Sequence, residues 1–131
     1  MTADQGQEKI ERDLIAVVDD DESLRESLPD LLKEFGFDVL TFSTAEEFLA
    51  SRSLERTRCL VLDVVMPGMN GLDLQNELNQ RGKKIPTIFI TAHKGGSIRK
   101  RAQDQGAVVV LLKPFSDTAL REALSKAIGD S

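Results

Sequence analysis

Tryptophan and tyrosine are absent from the 131 residues, so little aromatic surface exists on which nucleic-acid bases would stack. Cysteine occurs once, as Cys59, which excludes an internal disulfide. Because Cys59 lies in an apolar run, it reads as a buried, inert thiol, and a reducing, cytoplasmic setting is expected. Positive charge is in deficit: 17 Lys and Arg face 22 Asp and Glu, and the net charge of −5 argues against general binding to a phosphate backbone. No apolar run is long enough to span a bilayer, and no signal-peptide pattern opens the chain. Neither nucleic acid nor membrane is therefore expected as a partner of this domain. There is no internal repeat, no low-complexity segment and no break in composition, so one domain with a single packed core is expected.

What is present is an alternation of short apolar runs and amphipathic stretches. Residues 1–12 are polar apart from Ile10 and read as a mobile tail. Leu14–Val18 is a buried-strand pattern that runs into Asp19, Asp20, Asp21 and Glu22. Leu24, Leu28, Leu31, Leu32 and Phe35 form a helical stripe closed by Gly36, with Pro29 inside it, so a bend or a missing hydrogen bond is expected there. Phe37–Phe42 is a more mixed strand, suited to a sheet edge, and Thr44-Ala45-Glu46-Glu47 reads as a capping box opening a short helix. The central run Cys59-Leu60-Val61-Leu62 ends in Asp63 and a Pro/Gly loop, the pattern of a strand buried on both faces. A helix over Gly71–Gln80 follows, with Leu74 and Leu78 on one face, and then a strand from Pro86 to Thr91. Beyond the Gly95-Gly96 break, a helix over Ser97–Gln105 carries only Ile98 and Ala102 as apolar contacts and is expected to be the least firmly packed. Val108–Leu112 is the fifth strand, and a last helix, capped by Ser116 or Asp117, buries Leu120, Ala123, Leu124, Ala127 and Ile128. Five strand–helix repeats imply an α/β fold: a doubly wound parallel sheet with helices on both faces.

In such a sheet all the carboxyl ends of the strands lie on one edge, where ligands bind. That edge gathers Asp19 and Asp20, Asp63, Thr91 and Lys113. Each has a plain structural reading: Asp63 as a turn cap, Asp19 to Glu22 as favourable charge at a helix start, Thr91 and Lys113 as ordinary strand-end residues. Their co-occurrence at four strand ends points instead to chemistry. Clustered carboxylates repel unless a cation binds or one is protonated. Oxygen-only ligands suit Mg²⁺, Lys and Thr suit phosphoryl oxygens, and a carboxylate can accept that group as an acyl phosphate.

The segments Val17-Val18-Asp19-Asp20-Asp21, Leu62-Asp63-Val64-Val65-Met66-Pro67-Gly68-Met69-Asn70-Gly71, Ile90-Thr91-Ala92 and Lys113-Pro114-Phe115 resemble the receiver domain of two-component response regulators. The resemblance spans nearly all of the chain after the tail and assigns residues 13–129 to a receiver domain. It implies a single-domain, flavodoxin-like, five-stranded sheet of order 2-1-3-4-5 with five helices. It further implies that Asp63 is the phosphoacceptor, and that Mg²⁺ is held by Asp20 directly, by Asp19 through water, by Asp63 and by the backbone carbonyl of Val65. Thr91 and Lys113 would contact the phosphoryl oxygens, and the Lys113-Pro114 bond would be cis. A sensor histidine kinase or a phosphotransfer protein would donate the group, docking near Ser23 and Arg25 on the first helix. The response would be a change in partner binding through the face of the fourth helix, fifth strand and fifth helix, with a homodimer on phosphorylation as one form of output.

The chain also departs from the family pattern. Three positions before the lysine, where many receivers carry an aromatic switch residue, stands Val110, which has no ring to swing. A shift of the whole loosely packed fourth helix would take its place. The positions that tune hydrolysis in the family are occupied by Val65, which cannot orient a water, and His93, which would either polarise one or be an exposed loop residue. Lys94, Arg99, Lys100 and Arg101 are either a solvated basic face or a docking surface. The expected protein is mainly a signalling switch that assists its own phosphorylation and dephosphorylation. The competing classes are a phosphorylation-independent binding module of the same fold and an aspartyl-phosphate phosphohydrolase. Against the hydrolase, Val65 stands where such enzymes place a second acid.

Overall fold

The computed structural model describes residues 12–92 and 96–129. Five strands, β1 (Leu14–Val18), β2 (Asp38–Phe42), β3 (Thr57–Asp63), β4 (Thr87–Thr91) and β5 (Val109–Leu112), alternate with five α-helices. The helices are α1 (Glu22–Glu34), α2 (Ala45–Ala50), α3 (Gly71–Gln80), α4 (Gly96–Asp104) and α5 (Asp117–Ile128). The sheet is parallel throughout, as the strand–helix alternation implies, and ordered β2-β1-β3-β4-β5, as the family resemblance implies. β2 is an edge strand, which accounts for its mixed polarity.

The two faces of the sheet are divided by the strand period of two. Ile15, Val17, Cys59, Val61, Ile88 and Ile90 point to one side and bury Leu28 and Leu32 of α1 with Leu120, Ala123 and Leu124 of α5. Ala16, Val18, Leu60, Leu62, Phe89 and Val110 point to the other and bury Ala45 and Phe48 of α2, Leu74 and Leu78 of α3 and Ala102 of α4. Only Ala102 of α4 is fully buried and Ile98 is partly so, in keeping with the sparse apolar pair on that helix.

Local signals were realised with a few differences. α1 runs unbroken through Pro29, so the proline acts by removing one helical hydrogen bond. At α2 the Thr44 hydroxyl accepts from Glu47 N at 3.0 Å, but the Glu47 carboxylate reaches past the expected partner to Ser43 N at 2.9 Å and Ser43 Oγ at 3.0 Å. A reciprocal capping box stands instead at α3, where Asn70 Oδ1 accepts from Asp73 N at 2.8 Å and Asp73 Oδ2 from Asn70 N at 3.4 Å. Ser116 caps α5. A 3₁₀ turn over Arg52–Arg56, unmarked in the sequence, leads into β3, which begins two residues before the apolar run. The tail expected over residues 1–12 lies, except for the exposed Arg12, outside the described residues, as do His93, Lys94 and Gly95.

Candidate functional site

At the carboxyl edge β1 delivers Asp19, β3 delivers Asp63, β4 delivers Thr91 and β5 delivers Lys113. Asp19 is completely buried, Asp63 is 5 % exposed and Thr91 3 % exposed, whereas Asp20 is exposed. The carboxylates of Asp19, Asp20 and Asp63 each offer an oxygen within 4.8 Å of the other two. Lys113 Nζ lies 2.9 Å from Asp19 Oδ2 and 3.5 Å from Asp63 Oδ2, and the Lys113-Pro114 peptide is cis.

The pocket is held by main chain as well as charge. Asp19 N donates to the Phe42 carbonyl at 3.1 Å, and Asp19 Oδ1 accepts from Asp21 N at 2.9 Å. Both Asp19 carboxylate oxygens are therefore engaged, one by an amide and one by the ammonium. Asp63 Oδ1 accepts from Val65 N at 3.3 Å, so the loop after β3 turns back over the carboxylate. Gly71 N donates to the Val64 carbonyl at 2.9 Å and closes that loop. A Cβ on Gly71 would collide with the backbone carbonyl of Asp63, so only glycine lets α3 begin there. Gly68, at φ +74°, supplies the left-handed turn between them.

The electrostatics follow from this crowding. Burial, then the charge and hydrogen bonding of Asp19, push the Asp63 carboxyl up to about 7, with Lys113 and the Val65 amide opposing. For Lys113, burial pulls the ammonium down, but its hydrogen bond to Asp19 and the charges of Asp63, Asp19 and Asp21 outweigh it and the net shift is upward. Fully ionised, the three carboxylates and the one ammonium carry two surplus negative charges, which a divalent cation would cancel. The oxygen-only donor set fits a hard cation of the Mg²⁺ class.

Val65, at the position two after Asp63, is half exposed beside this pocket. Val110 is buried, pairs in register with Phe89, and packs on the α2–α4 side of the sheet. Arg99, Lys100 and Arg101 are exposed on α4, with Lys100 3.8 Å from Asp104. Two residues of the site region were not legible beforehand as they stand. In the sequence Gly71 marks a helix start and ends the segment that resembles the receiver family, but its collision with Asp63 is visible only in three dimensions. Arg25, expected on the outer docking face of α1, instead turns inward, and its Nη1 donates to the Asp19 carbonyl at 2.9 Å.

A family described as the response regulator receiver domain matches residues 15–125. Nodulation protein W of Bradyrhizobium diazoefficiens is 45 % identical over 114 residues, which cover 87 % of this chain and 50 % of that protein. The transcriptional regulatory protein FixJ of Azorhizobium caulinodans is 41 % identical over 118 residues, 89 % of this chain and 56 % of that protein. Among solved structures, the crystal structure of FixJ-N superposes with a TM-score of 0.82 at 35 % identity, covering 93 % of this chain and 98 % of that one. The chain spans about half the length of the curated relatives it matches.

Proposed function

We propose, from the premise that this chain belongs to the response regulator receiver family of two-component systems, that it takes a phosphoryl group onto Asp63 and changes its partner contacts in response. The observation that carries this reading is the placement of a buried carboxylate at the end of the central strand, 3.5 Å from the Lys113 ammonium and beside the Asp19–Asp20 pair. Membership of the family implies a cognate histidine kinase as donor; a phosphotransfer protein would serve the same chemistry. The P–N bond to the donor imidazole breaks as the P–O bond to Asp63 Oδ forms. Lys113 and Thr91 bind the phosphoryl oxygens, and the ammonium offsets the charge that gathers on them.

The acidic cluster of Asp19, Asp20 and Asp63 is typical of the receiver metal site. In this reading Mg²⁺ would be held by Asp20, Asp63 and the Val65 carbonyl, with the completely buried Asp19 acting through water. When bound, the ion supplies charge neutralisation at the phosphoryl oxygens. Residues 13–129 form the working unit. The phosphorylated state is read on the face made by α4, β5 and α5, by a second copy or another partner, in the cytoplasm. Because Val110 has no ring, the signal travels through movement of α4. Transcriptional output, the role printed in the name of the FixJ relative, is carried over to the whole protein on the same terms.

Incubation with acetyl phosphate and Mg²⁺, followed by intact-mass measurement, tests the reading. One phosphoryl adduct is expected, absent in Asp63→Asn. An adduct that persists in Asp63→Asn, or none in the unaltered chain, overturns it.

A further inference from the structure

Arg25 stands one turn into α1, yet its side chain runs back toward the loop that the helix follows. Nη1 donates at 2.9 Å to the Asp19 carbonyl, in a residue that solvent does not reach. That carbonyl belongs to the peptide unit joining Asp19 to Asp20, a rigid plane whose orientation sets the course of the chain at Asp20. The other side of Asp19 is already fixed by its amide on Phe42 O. Asp20 itself makes no side-chain hydrogen bond among the described residues, so the direction of its carboxylate rests on the main chain before it. The charge of Arg25 also lowers the Glu47 carboxyl, after the larger effect of the hydrogen bonds from Ser43.

We propose that Arg25 is a positioning residue for the cation site: by holding the Asp19 carbonyl it fixes the Asp19–Asp20 peptide and aims the Asp20 carboxylate into the pocket shared with Asp63. The proposal rests on the reading of that pocket as a divalent-cation site. Charge and geometry make opposite demands here, which gives the proposal its sign. A cation beside an acidic pocket competes with Mg²⁺, so electrostatics alone would have the pocket bind Mg²⁺ more tightly once Arg25 is removed. If Arg25 acts by position, its removal weakens binding despite the more negative field.

The experiment measures Mg²⁺ affinity of the full chain from the rise in melting temperature with Mg²⁺ alone, for the unaltered protein, Arg25→Lys, Arg25→Met and Asp20→Asn. Each is read against its own metal-free baseline. The expected order of affinity is unaltered, then Arg25→Lys, then Arg25→Met, with the last weaker by about tenfold or more, as for loss of an outer-shell partner of a metal ligand. An Arg25→Met protein that binds Mg²⁺ equally or more tightly overturns the proposal and leaves the cation site standing. So does a lowered metal-free melting temperature with an unchanged Mg²⁺ increment, which would make Arg25 merely structural. If Arg25→Met does not fold, Arg25→Lys decides: it keeps the charge, so an unchanged affinity overturns the proposal and a weakened one supports it. Absence of any Mg²⁺ response in the unaltered protein, or an undiminished one in Asp20→Asn, overturns the underlying cation-site reading as well.

Discussion

Asp63 and Gly71 meet across the loop after β3, and each depends on the other. The Asp63 carboxylate accepts from Val65 N while its carbonyl lies where a Gly71 side chain would be. Replacing Gly71 by Ala would displace the Asp63 backbone, because the obstructing atoms are main chain and cannot rotate aside. The expected cost is about 1–3 kcal/mol, seen as a lower urea midpoint at unchanged slope, together with slower adduct formation from acetyl phosphate. An Ala variant with both properties unaltered would show that the loop yields freely. Cys59 shows the opposite relation to its surroundings. Burial pushes its thiol up to about 12, so it packs as a small apolar side chain and carries no reactivity in the folded domain.

Among the elements, α4 differs most from its neighbours. α1, α3 and α5 each bury two or more leucines, whereas α4 places only Ala102 fully in the core and leaves Arg99, Lys100 and Arg101 in solvent. Few buried apolar contacts mean a low free energy of local opening. Val110, buried on the same side of the sheet, is β-branched and has no ring, so it offers no aromatic swing to relay a change at Thr91. Amide hydrogen exchange is therefore expected to be fastest in α4 among the five helices, by about tenfold or more relative to α3. On adding a phosphoryl mimic with Mg²⁺, the largest change in exchange is expected in the same helix. Equal protection of α3 and α4, or a change confined to other elements, contradicts this account of signal transmission.

For the whole molecule, the acidic pocket makes stability depend on pH in an unusual direction. An ordinary paired carboxylate has a lowered pKa and loses its stabilising effect as pH falls. Asp63 is raised from 3.8 to about 7, so the folded protein binds more protons than the unfolded chain across that interval. Its contribution is then fully present below about 4 and is lost as pH rises toward about 7. The raised Lys113 does not alter this window, because its own contribution is lost only in strongly alkaline solution. Metal-free Asp63→Asn is therefore expected to gain stability relative to the unaltered protein between about pH 5 and 8, on the order of 2 kcal/mol. Saturating Mg²⁺ is expected to reverse that advantage. A pH-independent difference between the two proteins would mean that Asp63 ionises normally in the fold. No helix among the described residues is long and apolar enough to cross a membrane.

The sheet and its active edge were legible in the chain because both depend on local pattern. Short apolar runs such as Leu14–Val18 and Thr87–Thr91 allow only strands buried on two faces, and parallel alternation with helices forces every carboxyl end to one side. Asp19, Asp63, Thr91 and Lys113 could be assembled on that rule alone. The rule is silent on which acid is sealed in and which is open, since Asp19 and Asp20 are adjacent and identical in type. The folded chain buries the first completely, with Lys113 on its carboxylate, and leaves the second exposed. Likewise Gly71 and Arg25 look ordinary in the chain, because a steric veto by a residue eight positions away and a long side chain folded back on a carbonyl are properties of distances in space. Periodicity therefore determined the frame and the list of acids; close packing alone decided their exposure, their protonation and what holds them in place.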